Sequence, residues 1–143
     1  MRYAENTEVI AEKSRMEIER VLTKYGADQF MYSCKELGAV VGFRMKNRYI
    51  RFTLPVPDKN SKEFKFTKTR RQMSPKSQLK AWEQATRQRW RVLALTIKAK
   101  LEACDCGITE FEPEFMAYIV MPDGKTVADH ILPKINEAYI NGR

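Results

Sequence analysis

Lysine, arginine and aromatic side chains are interleaved through the middle of this 143-residue sequence, and that mixture suits phosphates and unpaired bases. Arg44, Lys46, Arg48, Tyr49 and Arg51 fall on the polar side, or in the turn, of an expected β-hairpin. Lys65, Phe66, Lys68, Arg70 and Arg71, with Lys62 and Phe64, belong to a polar stretch over 58–73. Lys80, Arg87, Arg91 and Lys98 share one flank of an expected long helix. Cationic side chains neutralise phosphates and release counterions, and exposed rings stack on unpaired bases. A solvated basic surface is the plainer reading of the cations, and two phenylalanines anchoring the stretch from below is the plainer reading of the rings. No base-reading motif occurs, so any such binding is expected to be indifferent to sequence.

Catalytic chemistry finds little support. His130 is the single histidine. Its neighbour Asp129 points away from it on a helix, so the two do not form an acid–base pair. A Cys–His nucleophile depends on the fold bringing the groups together. Cys104-Asp105-Cys106 is half of a zinc motif at most, because a structural zinc takes four ligands. The six glycines are scattered, without a Walker lysine motif or Gly-x-Gly-x-x-Gly. No carboxylate cluster in the basic middle suits a catalytic magnesium ion. A binding protein without enzymatic activity, metal or cofactor is the expectation.

The charge is unevenly placed. Residues 35–100 hold 18 Lys+Arg against 4 Asp+Glu, a surplus of +14, while the ends together carry −6 within the overall +8. A basic block of this kind is an electrostatic footprint for a polyanion. An apolar share of 43% suits one folded domain with a modest core. No apolar run approaches the roughly 20 residues of a membrane span, and the start lacks the apolar stretch of a secretory signal. Three cysteines, an odd number, fit reduced thiols in the cytoplasm.

These residues must be positioned by an α+β domain. Residues 1–13 read as an irregular arm. Ser14-Arg15-Met16-Glu17 is a capping box before a helix over 15–25, whose Ile18, Val21, Leu22 and Tyr25 share one face before Gly26. A strand over 29–34 follows. Val41, Phe43 and Met45, then Ile50, Phe52 and Leu54, alternate with polar residues around Lys46-Asn47, so a three-stranded antiparallel meander is expected. Pro55 and Pro57 end it. The stretch 58–73 reads as a long basic loop. Ser74-Pro75 then caps a helix running to about Cys104. Leu79, Trp82, Thr86, Trp90, Leu93, Ile97 and Leu101 form its core face. A second, small-residue face of Ala81, Ala85, Val92, Ala99 and Ala103 needs a cover, supplied by a second copy in a homodimer or by the helical tail. In that tail Thr109-Glu110-Phe111-Glu112 is another capping box, with Phe111, Phe115, Tyr118 and Ile119 at helical spacing, although 117–121 also permits a strand. Thr126 caps a last helix toward Tyr139 that Pro133 bends or breaks.

Two stretches, Glu12-Lys13-Ser14-Arg15 through Gln29-Phe30 and Arg87-Gln88-Arg89-Trp90-Arg91 through Leu101-Glu102-Ala103, resemble small bacteriophage and prophage proteins, as does Pro122-Asp123-Gly124-Lys125-Thr126-Val127. The resemblance implies a phage setting inside the host cell. The role is then nucleic-acid binding, to DNA or RNA, in phage replication or recombination. The alternative is an anti-defence inhibitor that docks on a host defence protein or its guide RNA. It carries over no catalytic residues. The helix–three strands–helix order is similar to that of double-stranded RNA-binding domains and phage annealing proteins, a likeness of fold only.

Overall fold

A computed structural model describes residues 2–35 and 38–142. The elements run α1 (Arg2–Lys24), β1 (Asp28–Lys35), β2 (Gly38–Met45), β3 (Arg48–Pro55), α2 (Lys62–Lys65), α3 (Pro75–Asp105), α4 (Phe111–Phe115), a 3₁₀ turn (Met116–Tyr118) and α5 (Val127–Ile140). The expected α+β order is therefore present.

The sheet is a meander in the order β1-β2-β3, antiparallel throughout. Its second hairpin turns on Lys46 and Asn47, both at positive φ (50° and 62°). Two left-handed residues give the turn the twist that adjoining strands need. The turn sets Val41 against Phe52 and Phe43 against Ile50. Ala39, Val41, Phe43, Met45, Ile50, Phe52 and Leu54 are all buried. Helices α1 and α3 cover this one face, α1 over β1 and α3 over β3, and pack on each other.

The tail closes the core with rings. Phe115 is fully buried and meets Phe43 and Phe52 edge-on at 6.4 and 6.3 Å, an arrangement that sets ring edges against ring faces. Tyr118 stacks on Phe52 at 4.1 Å. Beyond it the Val120 N–H donates to the Tyr49 carbonyl at 2.7 Å, and Ile119 bridges Ile50, so the chain covers the free edge of β3.

Four expectations need correction. The expected arm is helix: α1 begins at Arg2, so Ser14 to Glu17 lie inside a helix and cap nothing. The reason is tertiary, because Ile10 and Ala11 are buried in the core and extend the apolar side of α1 by two turns. Met1 lies outside the described residues. The stretch 58–73 is not a featureless loop: it holds α2, the buried Phe64, and a Phe66–Gln72 bridge. The cap of α4 is Glu110 without a side-chain bond, so the Thr109 box does not form. Finally, α5 continues through Pro133 rather than breaking there. Pro133 is the seventh of its fourteen residues, and the Thr126–Asp129 capping box anchors the start.

Candidate nucleic-acid interface

The sequence-expected cations separate into three groups. Those of the hairpin are engaged within the chain. Arg44 makes a bidentate pair with Asp28 (Nε to Oδ1 3.0 Å, Nη2 to Oδ2 2.8 Å). This pairing holds the Asp28 carboxyl below the usual carboxylate range. Arg48 Nε reaches Glu112 at 3.0 Å, and Arg51 stands 4.0 Å from Asp129. Lys46 lies over the Phe111 ring at 5.8 Å. Tyr49 donates its hydroxyl to Gln29 and is half-exposed. Three acidic residues of the two ends, Asp28, Glu112 and Asp129, thus face the hairpin.

The second group lies along α3. Ser74 starts this helix by accepting from the Ser77 N–H, and Pro75 sits in the first turn. Trp82, Thr86, Trp90, Leu93, Ile97 and Leu101 are buried, as their spacing demands. Lys80, Arg87, Arg91 and Lys98 are exposed on an adjoining stripe. Lys76, one turn before Lys80, extends it, and its i−4 spacing was the signal that would have included it. From Lys76 to Lys98 the stripe runs about 33 Å at 1.5 Å per residue. Arg87 is 3.7 Å from Glu83, while Lys76, Lys80, Arg91 and Lys98 make no ion pair with any described residue.

The third group belongs to the 65–73 segment. Phe66 and Gln72 bridge, and the Thr67 N–H donates to the Arg71 carbonyl at 2.8 Å, closing a tight turn. Lys68, Arg70 and Arg71 are exposed on it without an ion pair among the described residues, and Lys65 is half-buried. Phe64 is buried and anchors the segment, whereas Phe66 remains 42% exposed. The Trp82 indole N–H donates to the Pro57 carbonyl at 2.8 Å, and α2 packs on α3. The segment that carries the loop cations is therefore packed against the start of the helix that carries the stripe.

Comparison with known proteins adds no relative. No family model, curated protein or solved structure matches this chain.

Other sites carry less chemistry. Among the described residues no three His, Cys, Asp or Glu side chains stand together as a metal site. His130 Nε2 is 2.8 Å from Asp123, not paired with Asp129. Cys104 is partly buried, and burial raises its thiol pKa, which works against a nucleophilic role. No described helix is long and apolar enough to cross a membrane. On the small-residue face of α3, Ala81, Ala85 and Ala103 are partly buried, while Val92 and Ala99 are exposed.

Proposed function

We propose that this protein binds nucleic acid without sequence preference, in phage replication or recombination. The observation that carries this reading is the run of exposed cations Lys68, Arg70, Arg71, Lys76, Lys80, Arg91 and Lys98, which make no ion pair with any described residue. The length of the α3 stripe is close to one turn of duplex, about 34 Å. A polyanion laid along it would release counterions from four or five phosphates, the sequence-independent source of affinity. Arg44, Arg48 and Arg51 of the hairpin already have carboxylate partners, so they contribute less.

The test is fluorescence anisotropy with labelled duplex and single-stranded oligonucleotides across a salt series. Binding at low salt with a log–log slope of about −4 on duplex supports the reading. No binding to any nucleic acid at low salt overturns it.

A second reading, an anti-defence inhibitor docked on a host protein or its guide RNA, has one observation in its favour. Helix α5 leaves Leu132, Tyr139 and Ile140 61%, 85% and 74% exposed, an apolar surface suited to a protein contact. Salt separates the two readings, because a shape-fitted apolar contact does not share the steep salt dependence of phosphate binding.

A further inference from the structure

Between α2 and the turn over 67–71 lies an open cleft of about 810 Å³, lined by Lys62, Glu63, Phe66, Thr67, Lys68 and Arg70. Its volume falls within the range of natural small-molecule sites. The composition of its wall is specific: one aromatic ring 42% exposed, three cations, and one carboxylate. The turn that shapes it is tied down. Thr67 Oγ1 accepts from the Arg71 N–H at 3.1 Å, and the Thr67 carbonyl accepts from the Arg70 N–H at 2.9 Å. Arg70 itself sits at φ 65°, in the left-handed region that residues other than glycine seldom adopt. Such positions persist only where the surroundings over-determine them, and they gather at ligand clamps.

We infer that this cleft seats one unpaired base of a single-stranded DNA or RNA, stacked on Phe66, with the flanking phosphates on Lys62, Lys68 and Arg70. The inference rests on the nucleic-acid reading above and adds the strand form that reading leaves open. Three cations alone would suit any anion. The ring asks for a flat partner, and every base has a π-face. Glu63 disfavours a phosphate against its own side of the cleft but accepts hydrogen bonds from a base amino group. A paired base inside a duplex exposes neither its face nor its Watson–Crick edge, so only an unpaired one fits. An acidic peptide satisfies the cations and leaves the ring unused.

The test compares the wild type with Phe66→Ala, Phe66→Leu and Phe66→Trp. Anisotropy is read with a 15-nucleotide single strand, as DNA and as RNA, and with the matching DNA duplex. Phe66→Ala is expected to weaken single-strand binding at least fivefold while changing duplex binding less than twofold. Phe66→Leu keeps the apolar bulk and removes the ring, so it should weaken single-strand binding similarly. If Phe66→Ala lowers the melting temperature, Phe66→Leu decides. In Phe66→Trp the new indole should be quenched by the single strand, since Trp82 and Trp90 are fully buried and blind to it. The arm that binds tighter, DNA or RNA, names the source. Single-strand binding that survives both Phe66→Ala and Phe66→Leu overturns the cleft and leaves the wider reading standing. So does displacement of the oligonucleotide by polyglutamate at equal charge concentration. A wild type that binds no oligonucleotide overturns both.

Discussion

The Trp82 indole N–H donates to the Pro57 carbonyl at 2.8 Å, while the equally buried Trp90 indole N–H, two turns along the same helix, has no acceptor among the described residues. The two side chains bury the same ring system on the same face of α3, and Trp82 has in addition this hydrogen bond and Lys59 over its ring at 5.6 Å.

That difference is measurable. Trp82→Phe and Trp90→Phe each remove similar volume, but only Trp82→Phe strips the Pro57 carbonyl of its donor. A buried polar group left without a partner costs about 1–3 kcal/mol. Trp82→Phe should therefore be less stable than Trp90→Phe by roughly that amount in urea unfolding. Equal losses would show that the bond contributes nothing net.

The α3 stripe and the hairpin make opposite predictions for the same type of substitution. Lys80, Arg91 and Lys98 changed together to Ala should lower duplex affinity and flatten the salt slope by about 3 × 0.9 units. Changing Arg44 and Arg48 to Ala should alter the slope by less than one unit, because both already face carboxylates. Neither set should shift stability by more than about 1 kcal/mol, the usual limit for exposed ion pairs. A hairpin variant that binds worse than the α3 variant would move the interface to the sheet.

The 65–73 segment contributes separately. Replacing Lys65, Lys68, Arg70 and Arg71 by Ala should reduce affinity for every nucleic acid, with the melting temperature nearly unchanged because Phe64 still anchors the segment. Normal binding by this variant would assign the contact to α3 alone.

Acid should loosen the start of α5. The Thr126 N–H donates to Asp129 at 3.0 Å and holds that carboxyl below its usual range, with Arg51 adding to the effect. The Lys125 N–H does the same for Asp123, assisted by His130. A carboxyl with a lowered folded pKa stabilises fully above its unfolded value of about 4 and stops doing so as pH falls through the folded one. Amide signals of Thr126 and Lys125 in two-dimensional NMR should move as pH falls below about 4. Asp129→Asn should remove the shift at Thr126. Signals that stay fixed down to pH 2 would contradict the assignment.

The exposed part of the small-residue face of α3 tests self-association. Val92 is 53% exposed, and Ala99 is exposed with it. Glu at both positions should leave the fold intact. Light scattering that gives a dimer for the wild type and a monomer for this variant identifies the face as a contact between copies. A monomeric wild type excludes it.

Much of the fold was legible because its signals are local. Ser74-Pro75 and the spacing from Leu79 to Leu101 define α3. Lys46-Asn47 with alternation on both sides defines the hairpin. Thr126 marks the start of α5. Each depends on residues within a few turns or a few positions, where backbone geometry dictates which side chains meet. What lay beyond reach depends on distant partners. Nothing local marks 2–14 as helix, since the burial of Ile10 and Ala11 among residues remote in sequence is what extends α1 there. Arg44, Arg48 and Arg51 look as free as Arg91 in the sequence. Only folding brings Asp28, Glu112 and Asp129 to them, and it leaves Arg91 unpaired. Phe64 and Phe66 are the same residue two positions apart. The docking of α2 on α3 buries the first and leaves the second open on the cleft, a choice made by packing and not by residue type.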